Sequence, residues 1–370
     1  MIKVGQPYFS DLDISEITSK IALVLRSGWL TSGEVVEEFE KKFGSFIGTK
    51  YAIALNSGTA ALHAILSALK LSPDDEVIVP ANTFISTVFA VLYVGAKPVL
   101  ADCNINTFNI TAETIEHSLS SKTKAVIITH IGGNPCEMDE IVKLCQEEGL
   151  ILIEDAAHAH GSRYRGNLCG TFGLANAFSF YPTKVITSGE GGMVTTNSKE
   201  ICEYIKTFRN VGRAEIGHGP IVTLGYNYRM SNIHAVIGLN QLKHLEEFVK
   251  KRNELANFYN QELEKIDWIE PQKVYNHSTS SYYAYIVKVS QDSPISRDAL
   301  MEYLKEKNIE TTIMFRPVHM QPYFKSRFNI QKRYPNAEFI GDNTLVLPLH
   351  VGMTIEDVEY VVNTLKEVGK

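Results

Sequence analysis

The chain has 370 residues, 44% of them apolar, 21% charged and 10% aromatic, with a net charge of −6 from 36 basic and 42 acidic side chains. This near-average composition excludes collagen-like, low-complexity and disordered chains, and at about 150 residues per domain the length predicts two to three domain-sized units. The charge balance carries no basic nucleic-acid footprint, and no apolar run approaches the 18 or so residues of a membrane span.

Residues 14–46 read as helical, with a break at Ser27-Gly28-Trp29-Leu30-Thr31-Ser32-Gly33. Short apolar runs then alternate with helical patterns, as βαβ units do. The predicted strands are 51–55, 76–79, 98–101, 125–129, 150–153, 175–180 and 192–195, and the helices between them include 59–69, 84–93, 112–118 and 138–148. Several of the runs are continuous rather than alternating, as strands buried on both faces of a mainly parallel sheet should be. Glycines Gly212, Gly217 and Gly219 suggest a mobile loop. A long helical stretch over 232–265 carries the chain out of the first domain. Beyond it, strands are expected at 282–289, 310–315 and 345–349 and helices at 296–307 and 354–368. The predicted architecture is α/β: a large domain over 1–240 with a mainly parallel seven-stranded sheet flanked by helices, and a smaller α/β domain over 241–370.

The N-terminal residues MIKVGQPYFS lack the hydrophobic region of a secretory signal. The five cysteines (Cys103, Cys136, Cys145, Cys169 and Cys202) are an odd number without CxxC spacing. They read as free thiols in a reducing compartment, so a soluble, cytoplasmic protein is expected, with no nucleic acid or membrane partner.

In an open parallel sheet, ligands bind beyond the carboxyl ends of the strands, which directs attention to the residues just after each one. After 51–55 comes Asn56-Ser57-Gly58-Thr59-Ala60-Ala61, a small-residue turn opening a helix. It offers N–H groups, hydroxyls and a positive dipole end to a phosphate; an ordinary N-cap has the same composition. After 150–153 comes Glu154-Asp155-Ala156-Ala157-His158-Ala159-His160. A zinc or iron site needs more ligands than one such cluster supplies, and no HExxH partner exists, so no metal is expected. A single carboxylate placed to hold a cationic ring nitrogen fits the position better. After 175–180 comes Tyr181-Pro182-Thr183-Lys184, with no further charge until Glu190. Most lysines are solvated surface charges, but one that comes after a buried strand can be desolvated, which favours the free amine needed for Schiff-base chemistry. A phosphate cradle, a strand-end aspartate and a lysine just beyond a strand together meet the needs of pyridoxal phosphate.

The ordered motifs Gly28-Trp29-Leu30-Thr31-Ser32-Gly33, Asn56-Ser57-Gly58-Thr59-Ala60-Ala61-Leu62, Ala81-Asn82-Thr83-Phe84, Glu154-Asp155-Ala156-Ala157-His158-Ala159-His160-Gly161, Phe178-Ser179-Phe180-Tyr181-Pro182-Thr183-Lys184, Gly225-Tyr226-Asn227-Tyr228-Arg229-Met230 and Pro348-Leu349-His350 run nearly end to end. In them the chain resembles the DegT/DnrJ/EryC1/StrS sugar aminotransferases, enzymes of the fold-type I pyridoxal-phosphate class. The resemblance implies that Lys184 carries the cofactor and shuttles the proton, and that Asp155 pairs with the pyridine nitrogen. It further implies that Gly58, Thr59 and Ser179 hold the phosphate, that Phe84 stacks on the ring, and that Asn227 reaches the cofactor phosphate of a neighbouring subunit in a homodimer with shared sites. Read from local sequence alone, Phe84 fits core packing better than a stacking role, and Asn227 fits turn chemistry. His158 stands where many relatives have Gln, and either can hydrogen-bond near the ring 3-oxygen. Glu190, Arg229 and His319 are candidate substrate contacts.

The reaction implied is transfer of an amino group, from glutamate by family analogy, to a keto sugar, with pyridoxamine phosphate as the intermediate form of the cofactor. A nucleotide-linked 3- or 4-keto-6-deoxy sugar is the expected acceptor. Relatives that dehydrate sugars carry histidine in place of the lysine, so retention of Lys184 favours transamination. Glu190 stands where many nucleotide-sugar enzymes have Asp, and relatives acting on keto-cyclitols share the Glu form, which keeps that substrate class open. A non-catalytic pyridoxal-phosphate binder is a rival reading. A Rossmann oxidoreductase is a weaker one, for want of a GxGxxG after the first strand.

Overall fold

The computed structural model describes residues 1–214, 219–328 and 332–368. Its helices are α1 (Asp11–Ser27), α2 (Glu34–Ile47), α3 (Gly58–Ala68), α4 (Ile85–Tyr93), α5 (Ala112–Glu116), α6 (Met138–Glu147), α7 (Lys199–Phe208), α8 (Asn232–Leu242), α9 (Leu245–Leu263), α10 (Arg297–Glu306), α11 (Pro322–Phe328), α12 (Pro335–Asn343) and α13 (Ile355–Lys366). The strands are β1 (Tyr51–Leu55), β2 (Glu76–Pro80), β3 (Lys97–Ala101), β4 (Thr123–Thr129), β5 (Ile151–Asp155), β6 (Arg163–Tyr164), β7 (Asn167–Leu168), β8 (Ala175–Ser179), β9 (Gly192–Thr196), β10 (Ile269–Pro271), β11 (Ser278–Thr279), β12 (Tyr285–Val289) and β13 (Thr344–Leu347).

Seven strands form the main sheet in the order β1-β9-β8-β5-β4-β2-β3. The pairs from β3 to β8 are parallel, and β9 alone runs against both of its neighbours, β1 and β8. Side chains alternate between two buried faces, as the pleat requires. Ile53, Val77, Val79, Ile127, Ile153 and Val194 pack towards α3, α4 and α7. Ala52, Ala54, Phe178 and Met193 pack towards α2 and α8, and Ile78, Val126, Ile128 and Leu152 towards α5 and α6. Alanines at 60, 61 and 64 let α3 lie close on the sheet.

All seven predicted strands of this sheet exist, with ends shifted by a residue or two. The helical stretch predicted over 232–265 divides instead into α8 and α9. At the break, His244 makes a 2.8 Å contact from its Nε2 to Asp13 of α1; α8 packs in the sheet's core, whereas α9 begins there with Leu245, Phe248 and Val249 and continues into another with Leu255, Tyr259 and Leu263. The strand expected at 310–315 does not form. Only Thr312 bridges to Val346, because residues 312–316 serve as cavity wall. Gly212, expected to loosen its loop, sits at φ 79° in close contact with Gly225 and donates no slack there; Gly217 lies outside the described residues.

A second core gathers α9, α10, α13 and the antiparallel sheet β10-β12-β13 around Leu255, Tyr259, Tyr285, Leu300 and Val361. We propose residues 241–370 as a second unit on this basis. The joint itself falls between α8 and α9, and Ile286, Phe324, Ala337 and Ile340 pack on the first core. No helix among the described residues is long and apolar enough to cross a membrane.

Candidate active site

The carboxyl ends of β1, β2, β4, β5 and β8 open into one cavity of about 720 Å³, closed on the far side by residues 312–316 and Tyr283. Gly58, Thr59, Phe84, Asp155, His158, Ser179, Lys184 and Glu190 all line it. These eight candidates come from five separate stretches of sequence, and the sheet topology brings them together.

At the end of β1 the chain turns through Ser57, whose hydroxyl accepts the Ala60 N–H at 3.1 Å and so caps α3. First-turn N–H groups have no partner within their helix, and here they face the cavity side of Gly58. A Cβ on Gly58 would lie 2.9 Å from that of Ser179, and one on Gly192 would lie 2.8 Å from the Gly58 nitrogen. The turn, β8 and β9 are thus pressed together without side chains between them. The Thr59 hydroxyl lies 2.7 Å from that of Ser86.

Asp155 ends β5 and is buried. Thr87 donates its hydroxyl to one carboxylate oxygen at 2.7 Å, and the Ala157 N–H reaches the other at 3.2 Å. Thr87 is joined in turn to Thr83 (3.0 Å) and Thr83 to Thr129 (2.9 Å), a row of buried hydroxyls that fixes the carboxylate's orientation. Burial pushes the Asp155 carboxyl up, and the hydrogen bonds with the nearby Lys184 charge only partly offset it. A buried carboxylate in that condition favours a cationic partner.

Burial also holds the His158 imidazole well below its ordinary pKa, with the Lys184 charge adding to the effect. Its Nδ1 is buried without a hydrogen-bond partner, which an incoming polar atom would satisfy. Phe84 is 53% exposed, facing the cavity rather than the core, with its ring 6.1 Å from that of Phe315. Lys184 is half-buried, with its backbone N–H on the Tyr181 carbonyl at 3.0 Å. The tight turn, the under-compensated carboxylate, the orphaned imidazole nitrogen and the amine together fit pyridoxal phosphate.

The remaining candidates lie elsewhere. Asn227 is exposed outside the cavity, near Asn56. Arg229 lines a separate cleft of about 650 Å³ and donates to Asn210 at 3.1 Å. His319 is corrected as a substrate candidate. It is 8% exposed behind the wall, with Nε2 3.1 Å from Glu338, because the turn after Pro317 rolls it inward against Tyr334.

Of the described residues, His130, Glu154 and Cys169 could in principle gather a metal ion. Glu154, however, already accepts N–H groups from Gly170 (2.7 Å), Phe172 (2.6 Å) and Gly173 (3.0 Å) and meets His130 at 2.9 Å, while the other His130 nitrogen accepts the Cys136 N–H. Those lone pairs shape the loop before β8. Sequence reading missed Thr87, Tyr283 and Arg316. Only the position of Thr87, one helical turn into α4 from Phe84, gave any signal.

Residues 12–366 match the profile of the DegT/DnrJ/EryC1/StrS aminotransferase family. GDP-perosamine synthase of Escherichia coli O157:H7 is 36% identical over 93% of both chains. Helicobacter pylori PseC, an aminotransferase involved in the biosynthesis of pseudoaminic acid, superposes with a TM-score of 0.93 at 28% identity, covering 99% of this chain and 98% of its own. Spr1654 of Streptococcus pneumoniae, solved in PLP and PMP forms, does so at 0.91 and 0.92, also at 28% identity, covering 99% of this chain and 97% and 96% of the two structures. With the cavity's lysine, aspartate and helix terminus arranged as they are, the chain belongs to the DegT/DnrJ/EryC1/StrS family and is a pyridoxal-phosphate-dependent aminotransferase.

Proposed function

We propose that the protein transfers an amino group from glutamate to a keto sugar, a nucleotide-linked 3- or 4-keto-6-deoxy sugar, in amino-sugar biosynthesis. The observation that carries this reading is the Lys184 amine in one cavity with the buried Asp155 and the α3 N-terminus. The relatives named for perosamine and pseudoaminic acid support a sugar acceptor, and a cavity of about 720 Å³ is of the size that takes a small ligand whole.

Pyridoxal phosphate, when bound, supplies a carbonyl that accepts the amino group and a protonated ring that withdraws electrons from the reacting carbon. In this reading Lys184 holds the cofactor and moves a proton at the substrate's reacting carbon, as base and then as acid. Asp155, oriented by the Thr87 hydroxyl, keeps the ring nitrogen protonated. Gly58, Thr59 and Ser179 bind the phosphate, Phe84 covers one ring face, and the neutral His158 hydrogen-bonds beside it. Glu190, exposed at the mouth, faces the substrate. Asn227 and Arg229 lie away from their own cavity, which supports their acting in a second copy's site, and hence a homodimer with shared sites. The five free, buried cysteines support a cytoplasmic setting.

The test combines cofactor, glutamate and a panel of nucleotide-linked keto sugars with wild-type protein and Lys184→Ala. Borohydride reduction should fix the cofactor to Lys184, and an aminated sugar should form only with the lysine present. Amination of a keto-cyclitol alone would replace the sugar, and cofactor binding without any turnover would leave a non-catalytic binder.

A further inference from the structure

Tyr283 enters the cavity from the second unit, two residues before β12, and several features conspire to aim it. The preceding residue, Tyr282, has φ 45°, a left-handed conformation that a bulky side chain adopts only when its surroundings impose it. Buried Arg252 imposes it from one side, donating to the Tyr282 carbonyl at 2.9 Å and to that of Leu349 at 2.9 Å. From the other, the Ser281 hydroxyl donates to the His158 carbonyl at 2.7 Å, and the Ser281 N–H meets the Ser162 hydroxyl at 3.0 Å. Gly133, at φ 89°, lets this segment pass: a Cβ there would sit 2.9 Å from the His158 carbonyl and 3.2 Å from the Tyr283 nitrogen.

The ring so placed stacks on His158, with centroids 4.3 Å apart and planes at 20°. Its hydroxyl lies 3.2 Å from that of Thr183, and the Lys184 ammonium sits 4.4 Å from its centroid. Other charged and titratable groups share the cavity with Lys184: Asp155 from β5 and His158, with His160 behind, feel its charge, while Glu190 from the loop before β9 and Arg316 from the far wall line the same space. Among the described residues no ion pair joins Lys184 to either carboxylate; on Asp155 the ammonium would occupy the partner meant for the ring nitrogen. The ring face of Tyr283 is what the ammonium meets instead.

We propose that Tyr283 is a positioning residue for Lys184: braced on His158 and tied to Thr183, its ring seats the amine at the cavity wall, off the carboxylates, whenever the amine is not bonded to the cofactor. The proposal rests on the reading of Lys184 as the cofactor-bearing lysine.

The test replaces Tyr283 with Phe and then with phenylalanines carrying one, two and three fluorines, which keep the ring's shape while draining its negative face. In the full-length, cofactor-free protein, trace acetic anhydride at fixed pH labels free amines. Mass spectrometry reads the Lys184 peptide against exposed Lys199. Tyr283→Phe, which loses the Thr183 tie and keeps the ring, sets the baseline, and from it the rate should climb stepwise with fluorination to about 2- to 5-fold, equivalent to about 0.5–1 kcal/mol. A flat series would overturn the proposal. A merely structural ring would give that flat series, since each variant keeps the packing. If borohydride fixes the cofactor to Lys184 while the series is flat, only the seat is refuted. If it fixes the cofactor elsewhere, the underlying reading fails whatever the series does.

Discussion

Replacing Asp155 by Asn should act in opposite directions on cofactor binding and on the stability of the cofactor-free protein. The amide keeps the side chain's shape: its oxygen can take the Ala157 N–H that lies 3.2 Å from one carboxylate oxygen, and its NH2 can donate to the Thr87 hydroxyl that lies 2.7 Å from the other. The charge facing the cofactor's ring nitrogen is lost. Removing one partner of a buried charge pair costs about 3–5 kcal/mol, so affinity for pyridoxal phosphate should fall roughly 10²- to 10⁴-fold. Without cofactor the sign reverses. Burial raises the folded-state pKa of Asp155 above the ordinary 3.8, so above about pH 4 the unfolded chain ionises while the folded one resists. Stability is therefore lost as pH rises through that window, by about 1.4 kcal/mol for each unit of the rise. Asp155→Asn abolishes this loss, and cofactor-free Asp155→Asn should be at least as stable as wild type at pH 7 and converge with it below pH 4. Urea denaturation at both pH values, with a fluorescence titration of the cofactor, reads both arms. Wild-type affinity in the variant, or a cofactor-free variant less stable at pH 7 than wild type, would refute the reasoning.

Three other substitutions probe the surroundings. Phe84→Ala should weaken cofactor binding about tenfold, as loss of an aromatic stack of about 1–1.5 kcal/mol predicts, and leave the urea midpoint in place, because the ring is 53% exposed; a large loss of stability would make it core. Gly133→Ala should destabilise the protein by about 2–3 kcal/mol in urea, since φ is 89° and the new methyl would meet the His158 carbonyl at 2.9 Å; an unchanged midpoint would remove the constraint on Tyr283. Glu338→Gln should cost about 1 kcal/mol at pH 7, a modest figure because Arg333 is exposed. The Arg333 guanidinium, with lesser help from the Tyr334 N–H and His319, brings the Glu338 carboxyl from 4.5 to about 2. That stability is complete above pH 4.5 and disappears as pH falls towards 2, so wild type and variant should converge in acid. Parallel curves across that range would contradict the ion-pair account.

The site was legible wherever parallel-sheet topology sends the residues after a strand to a common edge. Asp155, Ser179 and Lys184 each come at or just after a continuous apolar run, and Gly58 opens the helix after another, so local reading placed them together. Phe84 was ambiguous because whether a helix's first residue faces a cavity or the core depends on the group packed opposite, here Phe315 from more than two hundred residues away. Tyr283 was hidden inside an apparently alternating strand. The left-handed Tyr282 begins β12 later than the pattern suggests, and the anchor responsible, Arg252, lies in α9. His319 read as a candidate substrate contact; its partner Glu338 comes from α12, a helix the apolar pattern did not announce. The contact of His244 at the break is likewise with Asp13, at the other end of the first unit.

Strand β9 runs against its neighbours and joins β1 to β8, pairing Tyr51 with Thr196 and Ala175 with the same residue. On a ribosome, the strand leading into the phosphate turn must therefore wait, unpaired on its inner edge, while well over a hundred further residues are made. Contacts of such long sequence separation form slowly. The lysine loop and the turn at Gly58 meet only when β9 closes that gap, so the cofactor would first encounter a usable site at the final step of sheet assembly, and its capture would report that the whole sheet is in register.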